Sequence, residues 1–177
     1  MAAGPAAGPA AGPAGGPRMP AYVAVVGPGD DATAGDCAMA ERAGRLLAER
    51  GAIVVCGGLG GVMQAAAEGA RARGGTAVGL LPGRDRAAGN PALSIALPTG
   101  LGELRNGLVV GVSDAVIAVG GSWGTQSEIA LAMRSGTPVA VINGWPVQIP
   151  AGSSARALPA MTSADAAVTA IFAALGR

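Results

Sequence analysis

The sequence predicts an α/β fold: a doubly wound, mostly parallel Rossmann-like sheet with helices on both faces. Short apolar runs alternate along the chain with segments in which Ala, Leu and charged residues recur at helical spacing. The runs are apolar throughout, which is typical of strands that are buried on both faces of a parallel sheet. Several of them end in glycine-rich turns, as strand-to-helix connections in such folds do.

The predicted strands are β-branched runs bounded by Gly, Pro or charged residues. In chain order they cover residues 21–27, 52–58, 76–82, 94–97, 114–119 and 138–143. The run at 94–97 is the weakest of these, and the stretches 83–91 and 144–161 are expected to be loops.

Helices are predicted between the strands, and two of them stop at glycines, Gly51 and Gly74, as helix C-termini often do. They cover residues 33–50, 61–73, 102–112, about 122–135 and 163–175. For the last helix, Thr162 or Ser163 is expected to be the N-cap.

Residues 1–20 repeat the unit Ala-Ala-Gly-Pro. Proline at every fourth position prevents a helix from propagating, and no periodic apolar face exists. We therefore predict a disordered tail, residues 1–20, followed by a single Rossmann-like nucleotide-binding domain, residues 21–177, a length that is typical of one domain.

The composition excludes several classes of function. Half of the residues are hydrophobic and 13% are charged, but no apolar run reaches the roughly 18 residues that span a bilayer, so we expect a soluble chain without a membrane partner. A net charge of +1 gives no electrostatic footprint for nucleic acid.

Two cysteines, Cys37 and Cys56, form no disulfide framework and fit the cytoplasm. Because the chain has no histidine, a Ser-His-Asp triad and a His-ligated zinc are excluded, and no metal site is predicted.

Three glycine-rich segments follow predicted strands, at residues 27–31, 57–63 and 120–125. Without a Cβ atom the backbone N–H groups can approach an anion, and the next helix adds the positive end of its dipole. One such segment could simply permit a tight turn, but three at one sheet edge favour an anionic ligand such as a nucleotide or phosphosugar. None has the P-loop or dinucleotide spacing, so P-loop NTPase activity and ordinary NAD binding are disfavoured.

Arg105 and Glu128 are expected near the same edge, each early in the helix that follows a glycine-containing segment. Taken alone, Arg105 would be part of a solvated helix face. Glu128 alone would be a favourable charge at a helix N-terminus, worth about 0.3–1 kcal/mol. Beside an anion-binding turn, we interpret both as functional residues.

Segments 56–70, 99–106 and 113–132 resemble the lonely-guy superfamily of Rossmann-like proteins, which includes cytokinin-activating phosphoribohydrolases. The family motif P-G-G-x-G-T-x-x-E aligns with residues 120–128, and the catalytic arginine of the family aligns with Arg105. Gly120, Ser122 and Val109 depart from the motif residues, and Asn106 replaces a lysine. This form resembles a bacterial branch related to molybdenum cofactor carrier proteins, and the resemblance implies a homodimer.

The leading hypothesis is therefore a nucleoside 5′-monophosphate phosphoribohydrolase that releases a free base and ribose 5-phosphate. Glu128 and Arg105 would be its catalytic residues, and no cofactor is required. Phosphate or nucleotide contacts are expected from one group of residues: Gly57, Gly58, Gly61, Gly120, Gly121, Ser122, Trp123, Gly124 and Thr125. Ribose or base contacts are expected from Gly27, Thr99 and Asn106.

The alternative hypothesis is a non-catalytic carrier or sensor of an anionic nucleotide-like cofactor, such as the molybdenum cofactor. The departures at Gly120, Ser122 and Val109 motivate it. Trp123 either stacks on a base at the mouth of the pocket or packs at a subunit contact, and the sequence leaves both open. Trp145 is expected in an interface or in the core.

Overall fold

The computed structural model describes residues 19–149, 151, 157–158 and 160–177. The predicted tail falls almost entirely on residues 1–18, which lie outside the described residues, and the prediction of one domain from residue 21 onwards stays a prediction. The strands are β1 (Tyr22–Val26), β2 (Ile53–Cys56), β3 (Ala77–Leu81), β4 (Ile95–Pro98), β5 (Ala115–Val119), β6 (Val139–Ile142) and β7 (Ala160–Met161). The helices are α1 (Ala34–Glu49), α2 (Val62–Arg71), α3 (Arg105–Gly111), α4 (Trp123–Ser135) and α5 (Ala164–Ala174).

The seven strands form one parallel sheet in the order β4-β3-β2-β1-β5-β6-β7. Ala24 pairs with Val55 on one side and with Val116 on the other, so β1 lies at the centre. The chain builds outward from β1 to β4 and then returns to place β5 on the other side of β1. The topological switch point, where such sheets bind ligands, therefore lies between the carboxyl ends of β1 and β5. The predicted α/β Rossmann-like fold is confirmed.

The core consists of two apolar layers, one on each face of the sheet. Alternate residues of β1 point to opposite faces: Val23 and Val25 pack in the layer with α1, α2 and α5, whereas Ala24 and Val26 pack in the layer with α3 and α4. Three helices thus cover one face and two cover the other.

Three details differ from the sequence prediction. The helix expected over 102–112 begins as a 3₁₀ turn, Gly102–Leu104, and becomes α-helical at Arg105. The loop expected over 83–91 contains a 3₁₀ turn, Arg86–Ala88. The loop expected over 144–161 contains β7, a two-residue strand that exists because β6 offers it an edge.

The helix caps follow local rules. Thr33 and Asp36 form a complete capping box at the start of α1, and Ser163 caps α5, one of the two residues expected there. Within the described part of the chain, no helix combines the length and the apolar character that crossing a bilayer requires.

Candidate functional site

A cavity of about 240 Å³ lies at the switch point, beside the carboxyl ends of β1 and β5. The turns after β1 and β2, the start of α2, the 3₁₀ turn before α3 and the first turns of α3 and α4 contribute its walls. The lining residues are Val26, Gly27, Gly29, Gly57, Leu59, Met63, Glu103, Arg105, Asn106, Ser122, Gly124, Thr125 and Glu128. Its position is the one that the fold class favours for a ligand.

Arg105 is buried at the edge of this cavity, as the first residue of α3. Its side chain is only 7% exposed, and Nε is buried without a hydrogen-bond partner among the described residues. Buried charged donors are normally paired, because an unpaired one loses its hydration without compensation. Arg105 is therefore a buried cation at the cavity edge, with one donor, Nε, that has no partner among the described residues.

Glu128 faces Arg105 from the second turn of α4. Nη1 of Arg105 and Oε1 of Glu128 are 3.8 Å apart, a distance for an ion pair but too long for a hydrogen bond. Burial raises the pKa of Glu128 to about 8, although the nearby Arg105 guanidinium lowers it and the Glu103 carboxylate raises it slightly. Glu128 therefore keeps its proton to a higher pH than an exposed glutamate does, and in that form it can donate a hydrogen bond or a proton.

The first turn of α4 forms the wall next to Glu128. Ser122 is the N-cap: its hydroxyl accepts a hydrogen bond from the Thr125 N–H (3.1 Å) and lies 2.9 Å from the Thr125 hydroxyl. A helix start leaves several further N–H groups without intrahelical acceptors, and the helix dipole adds positive potential there. Ser122, Gly124 and Thr125 all line the cavity, so this potential is directed at whatever occupies it.

One hydrogen bond holds α3 and α4 together across the site. Nδ2 of Asn106 donates to the Ser127 hydroxyl (3.1 Å), and that hydroxyl donates to the Gly124 carbonyl (2.7 Å). Asn106 is buried and lines the cavity. Its amide thus fixes the spacing between the helix that carries Arg105 and the helix that carries Glu128.

Cys56 lies at the end of β2, close enough to Arg105 and Glu128 to feel their charges, and is fully buried. Desolvation raises the pKa of its thiol to about 11. The thiol is therefore neutral and unreactive at physiological pH. In the described part of the chain no three His, Cys, Asp or Glu side chains lie together as a metal site would need.

The model of the SLOG cluster4 family (LDcluster4) matches residues 20–171. The chain belongs to the SLOG cluster4 family. This confirms the resemblance to the lonely-guy-like branch that is related to molybdenum cofactor carriers.

Relatives of this SLOG cluster4 protein include both sequences and solved structures. An uncharacterized protein of Archaeoglobus fulgidus is 46% identical over 112 residues, which cover 60% of this chain and 74% of the relative. The molybdenum cofactor binding protein of Rippkaea orientalis has a TM-score of 0.80 and 30% identity over 89% of this chain and 98% of its own. The Moco carrier protein of Chlamydomonas reinhardtii has a TM-score of 0.79 and 31% identity over 89% of this chain and 99% of its own.

The structure brings most of the sequence-predicted residues of this SLOG cluster4 protein to the cavity. The predicted residues that line it are Gly27, Gly57, Arg105, Asn106, Ser122, Gly124, Thr125 and Glu128. The sequence did not single out five others: Val26, Gly29, Leu59, Met63 and Glu103. Gly29 could have been found, because it lies in the turn after β1. The apolar residues carry no signal that distinguishes them from core residues.

The remaining predicted residues of the SLOG cluster4 protein do not line the cavity. They are Gly58, Gly61, Thr99, Gly120, Gly121 and Trp123. The Thr99 hydroxyl donates to the Leu81 carbonyl at the end of β3 (2.8 Å). Gly58, Gly61 and Gly120 have positive φ angles, and an ideal Cβ at Gly61 would lie 2.1 Å from the Gly29 carbonyl oxygen. In these glycines the tight turn and the close packing of neighbouring loops account for the residue type.

Trp123 and Trp145 stand beside the first turn of α4. Their ring centroids are 5.2 Å apart with an interplanar angle of 87°, an edge-to-face arrangement. Trp123 is 82% exposed and Trp145 is 42% exposed. Neither indole is in the core, so of the two positions expected for Trp145, an interface or the core, the interface stays a prediction.

Proposed function

We propose that this SLOG cluster4 protein binds a phosphorylated heterocyclic small molecule in the cavity beside the carboxyl ends of β1 and β5. The observation that carries the proposal is the pairing of two anion-binding features across one cavity. The first turn of α4 directs N–H groups and the positive end of a helix dipole into it, and the buried Arg105, whose Nε has no partner among the described residues, lines the same cavity. A phosphate could accept hydrogen bonds both from the N–H groups of α4 and from the Arg105 guanidinium.

A carrier function has the stronger support from similarity. The two solved structures above are a molybdenum cofactor binding protein and a Moco carrier protein, and this chain spans 98% and 99% of their lengths. We therefore propose that the ligand is a pterin phosphate of the molybdenum cofactor type, which the protein binds and releases as cargo. Under this function Arg105 and the amides of α4 would hold the phosphate, and Glu128 would donate a hydrogen bond to the cargo.

A phosphoribohydrolase is the second candidate, favoured by the state of Glu128. A carboxyl group with a pKa of about 8 retains a proton that a departing base needs. In this reaction the bond between C1′ and the base nitrogen breaks, and its electron pair goes to that nitrogen, which takes the proton of Glu128. Water adds to C1′ of the positively charged ribose and gives a proton back to Glu128. The products are a free base and ribose 5-phosphate, and Arg105 would hold the phosphate or assist the departing base.

Two measurements on the full chain separate these functions. First, mass spectrometry of the small molecules released by denaturing the purified protein should find a phosphorylated heterocycle. Second, incubation with AMP should release no adenine if the protein is a carrier and should release adenine if it is a hydrolase. In the hydrolase case Glu128→Gln should slow release by about 10²- to 10⁴-fold, because the general acid is lost. If the protein binds neither ribose 5-phosphate nor inorganic phosphate, the proposal itself is contradicted.

We further propose a homodimer that uses the outer side of α3. Leu104, Leu108 and Val112 are spaced by four residues and are 80%, 40% and 51% exposed, so they form an apolar stripe. Ile95 and Leu97 on the edge strand β4 are exposed as well. A second copy that covered the stripe would remove this surface from water. Sedimentation should give the mass of two chains for the wild type and of one chain for Leu108→Asp.

Two further proposals concern partners and location. We propose that single-stranded DNA is not a ligand, since the net charge of +1 offers no basic groove, and unchanged mobility of the DNA at low salt would support this. We also propose a cytoplasmic location, which fits the two cysteines, neither of which is in a disulfide. Fractionation of cells that produce the protein tests the location.

A further inference from the structure

The chain contains only four aromatic residues, one Phe, one Tyr and two Trp, and both indoles stand at the first turn of α4. Trp123 is the first residue of that helix. Its side chain is a large apolar ring that is 82% exposed. In so aromatic-poor a chain, two indoles beside one helix start point to a ligand with a flat ring, since aromatic faces and planar heterocycles attract each other by stacking.

The position of Trp145 is set by the glycine turn itself. An ideal Cβ at Gly121 would lie 2.3 Å from Cδ1 of Trp145, so the indole rests directly on the Gly121 backbone. Trp145 in turn meets Trp123 edge-to-face at 5.2 Å. Trp145 therefore packs against one side of Trp123, while most of the Trp123 surface stays open to solvent.

A groove leads from the cavity to Trp123. It lies between α3 and α4, has a volume of about 760 Å³, and includes Trp123, Leu104 and Leu131 in its walls. Glu103, Asn106 and Gly124 line both the groove and the cavity, so the two spaces adjoin at these residues. A ligand whose phosphate lies on the first turn of α4 would reach the Trp123 ring by passing Gly124, which has no side chain and lines both spaces.

We propose that Trp123 is the stacking platform for the planar heterocycle of the ligand, with Trp145 holding it in place. The inference rests on the proposed function, because it takes the phosphate to lie at α4. It adds to that function a separate subsite for the ring. The subsite recognises a flat aromatic face, which a purine in a nucleotide and a pterin in a cofactor both have. The α3–α4 groove is thus part of the ligand site.

Calorimetric titration of the full chain with two ligands tests the subsite. Formycin 5′-monophosphate carries a purine-like ring joined to the sugar by a carbon–carbon bond, so it has no N-glycosidic bond to cleave and its binding does not depend on turnover. Ribose 5-phosphate carries the sugar and phosphate alone. We expect wild type to bind the first ligand at least about fivefold more tightly than the second, since base–aromatic stacking is worth that much or more.

Substitutions at Trp123 then isolate the ring face. Trp123→Leu keeps an apolar side chain without a stacking face, and it should weaken binding of formycin 5′-monophosphate by about 5- to 150-fold while leaving ribose 5-phosphate unchanged. Trp123→Phe keeps a stacking face and should recover most of that loss. Tyr22→Leu, which removes an exposed aromatic ring at the start of β1 and lies in neither the groove nor the cavity, is the matched control and should change neither affinity.

Three outcomes would overturn the inference, and they differ from one another. If Trp123→Leu leaves the ratio of the two affinities unchanged, the ring does not stack on Trp123 although the phosphate site stands. If Trp123→Leu lowers both affinities and also halves the sedimenting mass, Trp123 is a subunit contact. If wild type binds neither ligand, the proposed function fails and the subsite fails with it.

Discussion

Gly57 and Arg105 fit together because Gly57 has no side chain. An ideal Cβ at Gly57 would lie 2.3 Å from Nη1 and 2.6 Å from Nη2 of Arg105, so the guanidinium rests on the backbone of the turn after β2. The turn thereby holds the charge at the cavity edge, 3.8 Å from Glu128. The predicted anion contact of Gly57 stays a prediction, and its backbone also supports Arg105, the residue that would bind the anion.

Gly57→Ala should displace Arg105 and weaken ligand binding. The clash falls on the far end of a flexible side chain, which can swing aside, so we expect the melting temperature to change little. Affinity for ribose 5-phosphate should fall by about tenfold or more, the range for loss of a charge-assisted hydrogen bond. Calorimetric titration measures it. Gly60→Ala is the matched control, because an ideal Cβ there meets no atom within 4 Å and both properties should stay at wild-type values.

Ser122→Ala should lower both stability and affinity, whereas Ser163→Ala should lower stability alone. Each serine is an N-cap whose hydroxyl accepts the N–H three residues later, at 3.1 Å in α4 and 3.2 Å in α5. Loss of such a cap costs about 0.5–2 kcal/mol in the free energy of unfolding. Only the α4 cap lines the cavity. Chemical denaturation together with titration of ribose 5-phosphate distinguishes the two, and equal affinity losses in both variants would contradict the placement of the phosphate at α4.

Gly124→Ala should separate stability from binding. An ideal Cβ at Gly124 would be 3.7 Å from the Ser122 hydroxyl and 3.8 Å from Nδ2 of Asn106, ordinary contacts that need no rearrangement. Alanine favours a helix over glycine by up to about 1 kcal/mol, so the variant should be at least as stable as wild type. The added methyl group would occupy ligand space, and affinity for ribose 5-phosphate should fall. Gly111→Ala, at the exposed end of α3, provides the stability comparison without touching the cavity.

The strands and the main site residues could be predicted because their signals are local. A run such as residues 115–119 is apolar throughout and fully buried, as its composition requires. The parallel topology then carries the ends of β1, β2 and β5 to one edge, which brings Gly27, Gly57 and Thr125 to one cavity.

The remaining features depend on contacts between distant parts of the chain. β7 forms because β6 presents a free edge, and Ala160–Met161 alone has no strand signal. Glu103 lines the cavity from the 3₁₀ turn Gly102–Leu104, which directly precedes α3. The hydrophobic periodicity of the sequence does not predict this turn. The packing of Trp145 on Gly121 likewise joins residues that are far apart in the sequence.

The raised pKa of Glu128 makes a prediction about stability against pH. In the unfolded chain this carboxyl group ionises near its ordinary value of 4.5, whereas in the folded protein burial holds it protonated up to about pH 8. Between those pH values the folded state binds a proton that the unfolded state has lost. The free energy of unfolding therefore falls as pH rises through this window, and it levels off above it. The total fall is about 1.4 kcal/mol for each unit by which the two pKa values differ. Glu128→Gln cannot ionise and lacks this loss.

We therefore expect Glu128→Gln to gain stability relative to wild type as pH rises from about 4.5 to about 8. Urea denaturation at several pH values measures the difference, and Glu68→Gln on the exposed face of α2 controls for removing a carboxylate at the surface. Arg105 lowers the pKa of Glu128, and a bound phosphate should raise it. The negative charge of the phosphate would keep Glu128 protonated to still higher pH. A stability difference between Glu128→Gln and wild type that stays constant with pH would show that Glu128 ionises at its ordinary pKa and is not the proton donor of this site.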